Sequence, residues 1–188
     1  KESAYVKEEI ITIFLENWDA VSINDADYGC TKLMQYSVEL QPGTTPFRSK
    51  LRPLNPLQEN DLRRQIDDWL EAGVVEPSNS AWSSALVPVK KKGTDKLRWA
   101  IDYRRLNEVT LKDSYPLANI ETNLHKLAKS QVFSTLDSAG AFHSMVIRPQ
   151  DRDYTAFVTP FGQYRFCRLP FGLANAPSAY SRLVQIAL

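Results

Sequence analysis

The chain has 188 residues, 43% hydrophobic and 24% charged, with eleven Pro against seven Gly and a formal net charge of +1. That mix fits one ordinary core-forming domain, or one with an appendage, and excludes disordered and collagenous classes. No run approaches the ~18–20 apolar residues of a membrane span, and no basic-then-apolar signal pattern opens the chain, so membrane and secreted classes are set aside. Cys30 and Cys167 alone make neither a disulfide framework nor a metal cluster, and a reducing compartment fits them best.

The small net charge hides an asymmetry. Residues 1–40 carry a net −5 and the remainder +6, while residues 85–105 hold seven bases against two acids. This describes an acidic lead-in and a main domain whose basic patch suits phosphates. A solvated charged hairpin fits the same charges equally well.

In chain order, Ser3–Asn17 has helical periodicity through Tyr5, Ile10, Phe14 and Leu15. Tyr36–Leu40 alternates as a short strand, and Pro42-Gly43 turns the chain. Asn55-Pro56 reads as an N-cap with proline at the first helical position. The helix that follows sets Leu62, Ile66, Trp69 and Leu70 on one face and stops at Gly73. We place the start of the compact domain near residue 45, leaving 1–44 as an acidic lead-in or linker with an N-terminal helix. Ser84–Lys90 and Leu97–Asp102 form a hairpin around Lys92-Gly93-Thr94-Asp95. After Tyr115-Pro116 comes a helix with Ile120, Leu124, Leu127 and Ala128 on one face, then a short buried strand, Val132–Leu136, ending at Asp137. Strands near Thr155–Thr159 and Tyr164–Leu169 lead to LPFGLANAP and a terminal helix from about Pro177. Helices interleaved with antiparallel pairs point to an α+β fold. The chain begins without Met and stops inside a helix, so it reads as a piece of something longer.

Three segments could carry chemistry. Asp137 follows a strand and precedes Ser138, Ala139, Gly140 and Ala141, small residues that let an anionic ligand approach the main chain. Such a carboxylate suits Mg²⁺, or it simply caps the next helix. In the hairpin, Lys91 and Arg98 lie across the turn and could reach one polyphosphate. Trp99 and Tyr103 add aromatic surface beside Arg98, Arg104 and Arg105. An exposed hairpin kept soluble by lysines is the alternative. In LPFGLANAP a rigid loop could present Phe171 and helix-N-terminal amides to a flat ligand, or turn its aromatics into the core. His125 and His143 are too isolated for a zinc set, and Asp151 and Asp153 read as loop acids.

Together these segments closely resemble the reverse transcriptase of gypsy-type LTR retrotransposons and, more distantly, of retroviruses. The resemblance runs from about residue 36 to the end, through QPGTTPFRSKLRPL, WLEAGVVEPSNSAWSSALVPVKKKG, LRWAIDYRRLNEVT, YPLANIE, FSTLDSAGAFHSMVI, YTAFVTPFGQYRF and RLPFGLANAPSAY. It implies a right-hand polymerase, with 45–188 as the fingers and part of the palm, an antiparallel sheet with packed helices. It implies RNA-directed DNA synthesis on an RNA or DNA primer–template by two-Mg²⁺ phosphoryl transfer. Asp137 then matches one of three metal-binding aspartates, and the carbonyl of Ser138 touches metal. Lys91 and Arg98 match the residues that clamp the dNTP, and the main chain at Gly140 and Ala141 supports its triphosphate. Phe142 matches the aromatic gate against a ribose 2′-hydroxyl, and Phe171 packs beside the incoming nucleotide. Gly172 and Pro177 fall near the template base, Arg104 and Asn107 near the template strand.

The other two aspartates belong to a YxDD hairpin, which does not occur in residues 1–188. By the resemblance it follows Leu188, as do the rest of the palm, the thumb and RNase H of the Pol polyprotein. One carboxylate cannot hold two Mg²⁺, so these residues are expected to be inert alone; the alternative is a truncated, non-catalytic nucleic-acid-binding remnant. Tyr154 stands where relatives usually have Lys, Ser138 replaces an apolar residue and Tyr36 a frequent His. The resemblance also implies a location in a cytoplasmic virus-like particle or the nucleus, a link to DNA integration, and no membrane partner.

Overall fold

The computed structural model describes residues 2–24, 27–90, 93, 97–116, 120–128, 130–135 and 137–187. Side chains at 2–6, 19, 120, 122, 123 and 126 lie outside that description, as do Lys91 and Leu136 altogether. The elements in order are helix α1 (Glu2–Glu16), strand β1 (Gln35–Tyr36), helix α2 (Pro56–Glu71), strands β2 (Val75–Pro77), β3 (Ser84–Lys90) and β4 (Leu97–Asp102), and helices α3 (Arg104–Val109) and α4 (Ile120–Leu127). Strands β5 (Val146–Ile147), β6 (Phe157–Thr159) and β7 (Gly162–Phe166) precede helix α5 (Ala176–Ala187).

Helix α2 forms where its ends are chemically closed. The Asn55 side chain accepts from the Gln58 amide at 2.9 Å, and the Asn55 amide donates to the Gln58 side chain at 3.0 Å. Each group thus satisfies an orphan donor of the first turn. At the other end Gly73 takes φ +63°, and Val74 and Gly73 donate to the carbonyls of Trp69 and Leu70. That pair of bonds closes the last turn and needs a left-handed residue. The apolar face buries Leu62, Ile66 and Trp69 against the sheet, with the Trp69 ring 5.6 Å from Phe166 and 6.4 Å from Phe157.

The main sheet has the order β2-β7-β6-β3-β4. The β3–β4 hairpin has a six-pair register in which Val89 faces Arg98. The sheet is mixed rather than purely antiparallel, because β3 pairs with β6 in parallel. The long connection between those two strands allows a parallel crossover, which a tight hairpin does not. Trp99 Nε1 donates to Asp61 at 2.8 Å and ties β4 to α2. Trp99 and Tyr103, expected beside the cations as a groove surface, are both core residues, 5% and 2% exposed. The surface cation next to them, Arg105, lies instead over the Phe47 ring at 4.4 Å.

Ahead of residue 45, Tyr36 and Val38 belong to the same buried cluster as α2 and the sheet. The expected strand Tyr36–Leu40 reduces to Gln35–Tyr36, paired in parallel with β5, plus a single bridge from Leu40 to Thr110. Asp151 interrupts further pairing. This residue is no loop acid but 5% exposed, accepting from the Val38 amide at 3.1 Å and from Arg148 at 2.9 Å. Asp153 does stay at the surface, bonded to Arg165 at 2.6 Å.

Between residues 120 and 137 one sequence expectation holds and one fails. Helix α4 forms as expected, with Leu124 and Leu127 of its apolar face exposed. The expected strand Val132–Leu136 is absent among the described residues, where Val132 is 86% and Phe133 62% exposed. A strand needs a neighbour for its backbone groups, and no described strand lies beside this one. In the same way Ile10, Phe14 and Leu15 of α1 face outward.

Candidate active site

Two anchored segments build the site. Met145, Ile147 and Leu169 are fully buried, and the amides of Ile147 and Leu169 donate to the carbonyls of Cys167 and Met145. These bonds fix a tight turn, Ala141–Ser144, just upstream. Its entry residue Gly140 takes φ +55°, and the His143 amide donates to the Gly140 carbonyl at 2.7 Å. A side chain at Gly140 would be strained, and its Cβ would lie 2.8 Å from Cε1 of Tyr28. His143 Nδ1 lies 3.1 Å from the Leu169 carbonyl, an acceptor, so the neutral ring carries its proton there. Burial pushes its pKa down to about 4, with Arg168 and Arg98 adding to the fall and the Leu169 carbonyl opposing it.

The second segment is the loop after Leu169. Asn107 on α3 clasps it, donating to the Gly172 carbonyl and accepting from the Ala174 amide, both at 2.8 Å. Asn175 reaches back to the Leu111 carbonyl and the Asp113 amide. Held on both sides, the loop buries Leu173 and leaves Phe171 43% exposed. The two readings of this loop are therefore both partly right: one apolar residue enters the core and the aromatic faces out.

The segments meet in a continuous line. The Arg98 guanidinium sits over the Phe171 ring at 4.6 Å. Phe171 lies 5.0 Å from the Phe142 ring, and Phe142 lies 5.7 Å from Tyr180 on α5. The Tyr180 hydroxyl donates to Ser138 Oγ at 2.6 Å. Next to Ser138, Asp137 is exposed and has no hydrogen-bond or ion-pair partner among the described residues. Two clefts open beside this line, about 250 Å³ and about 290 Å³, sharing Arg98, Trp69, His143 and Phe171. A larger cleft of about 380 Å³ lies elsewhere, between residues 34–39, 111–114 and α5. It lacks Arg98 and Phe171, which line both smaller clefts, and none of the three clefts is lined by Asp137 or Phe142.

Contacts thus join Arg98, Phe171 and Phe142 and, through Tyr180, Ser138. Gly140 shares the second cleft with Arg98 and Phe171, Gly172 lies at the edge of the first, and Asp137 and Ala141 enter only as chain neighbours of Ser138 and Gly140. Lys91 lies outside the described residues. Asn107 is occupied as the loop clasp. Arg104 is bonded through two nitrogens to Asp102, at 2.8 and 2.6 Å, although its side chain is 80% exposed. That hydrogen bond holds the Asp102 carboxyl down at about 2, against an opposing desolvation. Pro177 is exposed in the first turn of α5. Sequence reasoning missed Tyr180 and Tyr28. Tyr180 lies inside the motif ending in SAY, but only contact geometry shows that it links the aromatic row to Ser138.

A metal pair does not fit these residues as they stand. No group of three or more His, Cys, Asp or Glu could hold an ion among the described residues. Asp137 is a single hard ligand, and two-ion sites need several carboxylates.

The mixed sheet with α2 packed on one face has its likeness in solved structures. The foamy viral protease–reverse transcriptase in complex with RNA/DNA hybrid superposes with a TM-score of 0.75 at 19% identity, covering 95% of this chain and 24% of that one. The family model for reverse transcriptase (RNA-dependent DNA polymerase) matches residues 89–188, and the chain belongs to that family. It is 40% identical over 142 residues, 73% of its length, to the Retrovirus-related Pol polyprotein from transposon 297 of Drosophila melanogaster. It is 39% identical over 184 residues, 95% of its length, to that from transposon 412 of the same species. The chain spans only 13% and 14% of those two proteins.

Proposed function

We propose that this chain is the fingers and part of the palm of an RNA-directed DNA polymerase encoded by a gypsy-type retrotransposon. The observation that carries the reading is the unbroken line Arg98–Phe171–Phe142–Tyr180–Ser138 ending beside the exposed Asp137. Arg98 would take the phosphates of a dNTP, since a guanidinium offers forked donors to phosphate oxygens. Its resting place over Phe171 keeps it at the cleft mouth. Phe142, wedged between Phe171 and Tyr180, would present a ring edge to the sugar and exclude a 2′-hydroxyl. The amides of Gly140 and Ala141, two residues without bulky side chains of their own, would approach the triphosphate. Asp137 would be one metal ligand, with the others supplied from outside residues 1–188. A metal ion held by Asp137 together with those further ligands would supply charge neutralisation at the phosphates. RNA/DNA hybrid is the ligand named for the foamy viral neighbour, and a primer–template of that kind is the proposed partner.

The test is binding of an RNA/DNA primer–template by the 188-residue chain as salt rises, alongside primer extension with Mg²⁺ and dNTPs. With roughly five phosphates neutralised by the basic hairpin, affinity should fall on the order of 10²–10³ between about 50 and 200 mM salt. No extension is expected from the chain alone. A flat salt dependence, or clear template-directed synthesis, contradicts the reading.

A further inference from the structure

We infer that the lead-in forms part of the nucleotide site, with Tyr28 as a positioning residue for the turn that carries Gly140, Ala141 and Phe142. The inference rests on the nucleotide reading given above and extends it upstream of every residue matched by the family model.

The segment around Tyr28 is strapped to the turn at several points. The Tyr28 ring meets His143 edge-on, 5.0 Å between centroids at 69°. It also fills the space a Cβ at Gly140 would occupy. The Thr31 amide donates to the Ser144 carbonyl at 2.8 Å, and Arg168 donates to the Gly29 carbonyl at 3.0 Å. Tyr28 therefore contacts the start and middle of the turn, while Thr31 holds its end.

The turn needs such support. A single 3₁₀ turn has poor hydrogen-bond geometry and little stability of its own. The His143 and Met145 amides bond the Gly140 and Phe142 carbonyls, and the Ser144 hydroxyl adds a bond to the Ala141 carbonyl, all within one short element. Phe142 leaves the turn toward Phe171 and Tyr180, so the Tyr28 ring and the gate ring lie against different neighbours of one short element. Tyr28 also lines the same cleft as Gln65, Arg98 and Gly140. Removing the ring frees Gly140 to move and lets Phe142 drift, which loosens phosphate and sugar contacts together.

The test uses the 188-residue chain on a dideoxy-terminated RNA/DNA primer–template with Mg²⁺, titrated with dTTP and with UTP. Tyr28→Ala should weaken dTTP binding by about fivefold, the size of a lost aromatic edge contact. It should also bring dTTP and UTP affinities closer together, while primer–template affinity stays at the parent value. Tyr28→Phe, which keeps the ring, should restore both readouts. Amide exchange at residues 141–145, measured without nucleotide, should quicken in Tyr28→Ala and not in Tyr28→Phe. Parent-like dTTP affinity, parent-like sugar preference or unchanged exchange in Tyr28→Ala overturns the inference, as does tighter dTTP binding. Arg98→Ala separates the two claims. If it weakens dTTP while Tyr28→Ala does not, only the role of Tyr28 falls. If it has no effect, or the parent binds no nucleotide, the nucleotide reading falls and this inference with it.

Discussion

Helix α2 with its sheet and the stretch from α4 to Asp137 carry equally strong apolar patterns, yet only the first is packed. Leu62 and Ile66 of α2 are almost completely buried, whereas Leu124 is 60% and Val132 86% exposed. Both regions have helical or β periodicity, so the difference lies in partners. The α2 face meets β4, β6 and β7 within the same chain. The 120–137 segment has no described strand or helix laid over its apolar side. A pattern thus states which face requires cover, and only topology states whether these residues provide it.

The sharpest way to break this contrast is a pair of truncations. Trp69→Ala removes a ring packed on Phe157 and Phe166 and should cost about 3–5 kcal/mol in urea unfolding. Phe133→Ser, at an exposed position, should stay within about 0.5 kcal/mol of the parent. Comparable losses from the two would show that 120–137 is packed after all.

Acid should act next most strongly, through His143. Its folded pKa lies near 4, below the ordinary value of 6.5. The unfolded chain therefore binds more protons between those values, and stability must fall as pH drops through that window. The expected loss is on the order of 3 kcal/mol at most, because a tenfold change in proton affinity between the folded and unfolded chain is worth about 1.4 kcal/mol. His143→Phe should flatten the slope, and an unchanged slope would remove the assignment. A smaller effect is expected from Asn107→Ala, which strands the Gly172 carbonyl and the Ala174 amide. About 1–3 kcal/mol should be lost, with faster exchange at the Ala174 amide. The smallest is Asn55→Ala, about 1 kcal/mol from the opened capping box, read as a shift in urea midpoint.

What could be read from the residues follows the same division. Asn55-Pro56 and Gly73 bounded α2 because caps are local chemistry, and the hairpin strands were legible because their turn and both partners are contiguous. The family resemblance, carried by several ordered motifs, needed no packing information at all. Illegible were features made by distant contacts. Asp151 reads as a loop acid until the Val38 amide is seen on it. Trp99 and Tyr103 alternate with arginines and look exposed until α2 and the segment near Thr155 close over them. Asn107 matches a template-side position, but its hydrogen bonds to the Gly172–Ala174 loop exist only once α3 and that loop are adjacent. Tyr28 sits in a stretch without any pattern, and its contact with Gly140 spans more than a hundred residues.

The most direct measurement is a crystal structure of the chain with a dideoxy-terminated primer–template, Mg²⁺ and dTTP. The triphosphate should lie against Arg98 and the amides of Gly140 and Ala141, with the sugar on Phe142 and the primer end facing Asp137. A nucleotide seated in the cleft between residues 34–39 and α5, or an Asp137 carboxylate turned away from the bound phosphates, would contradict the account.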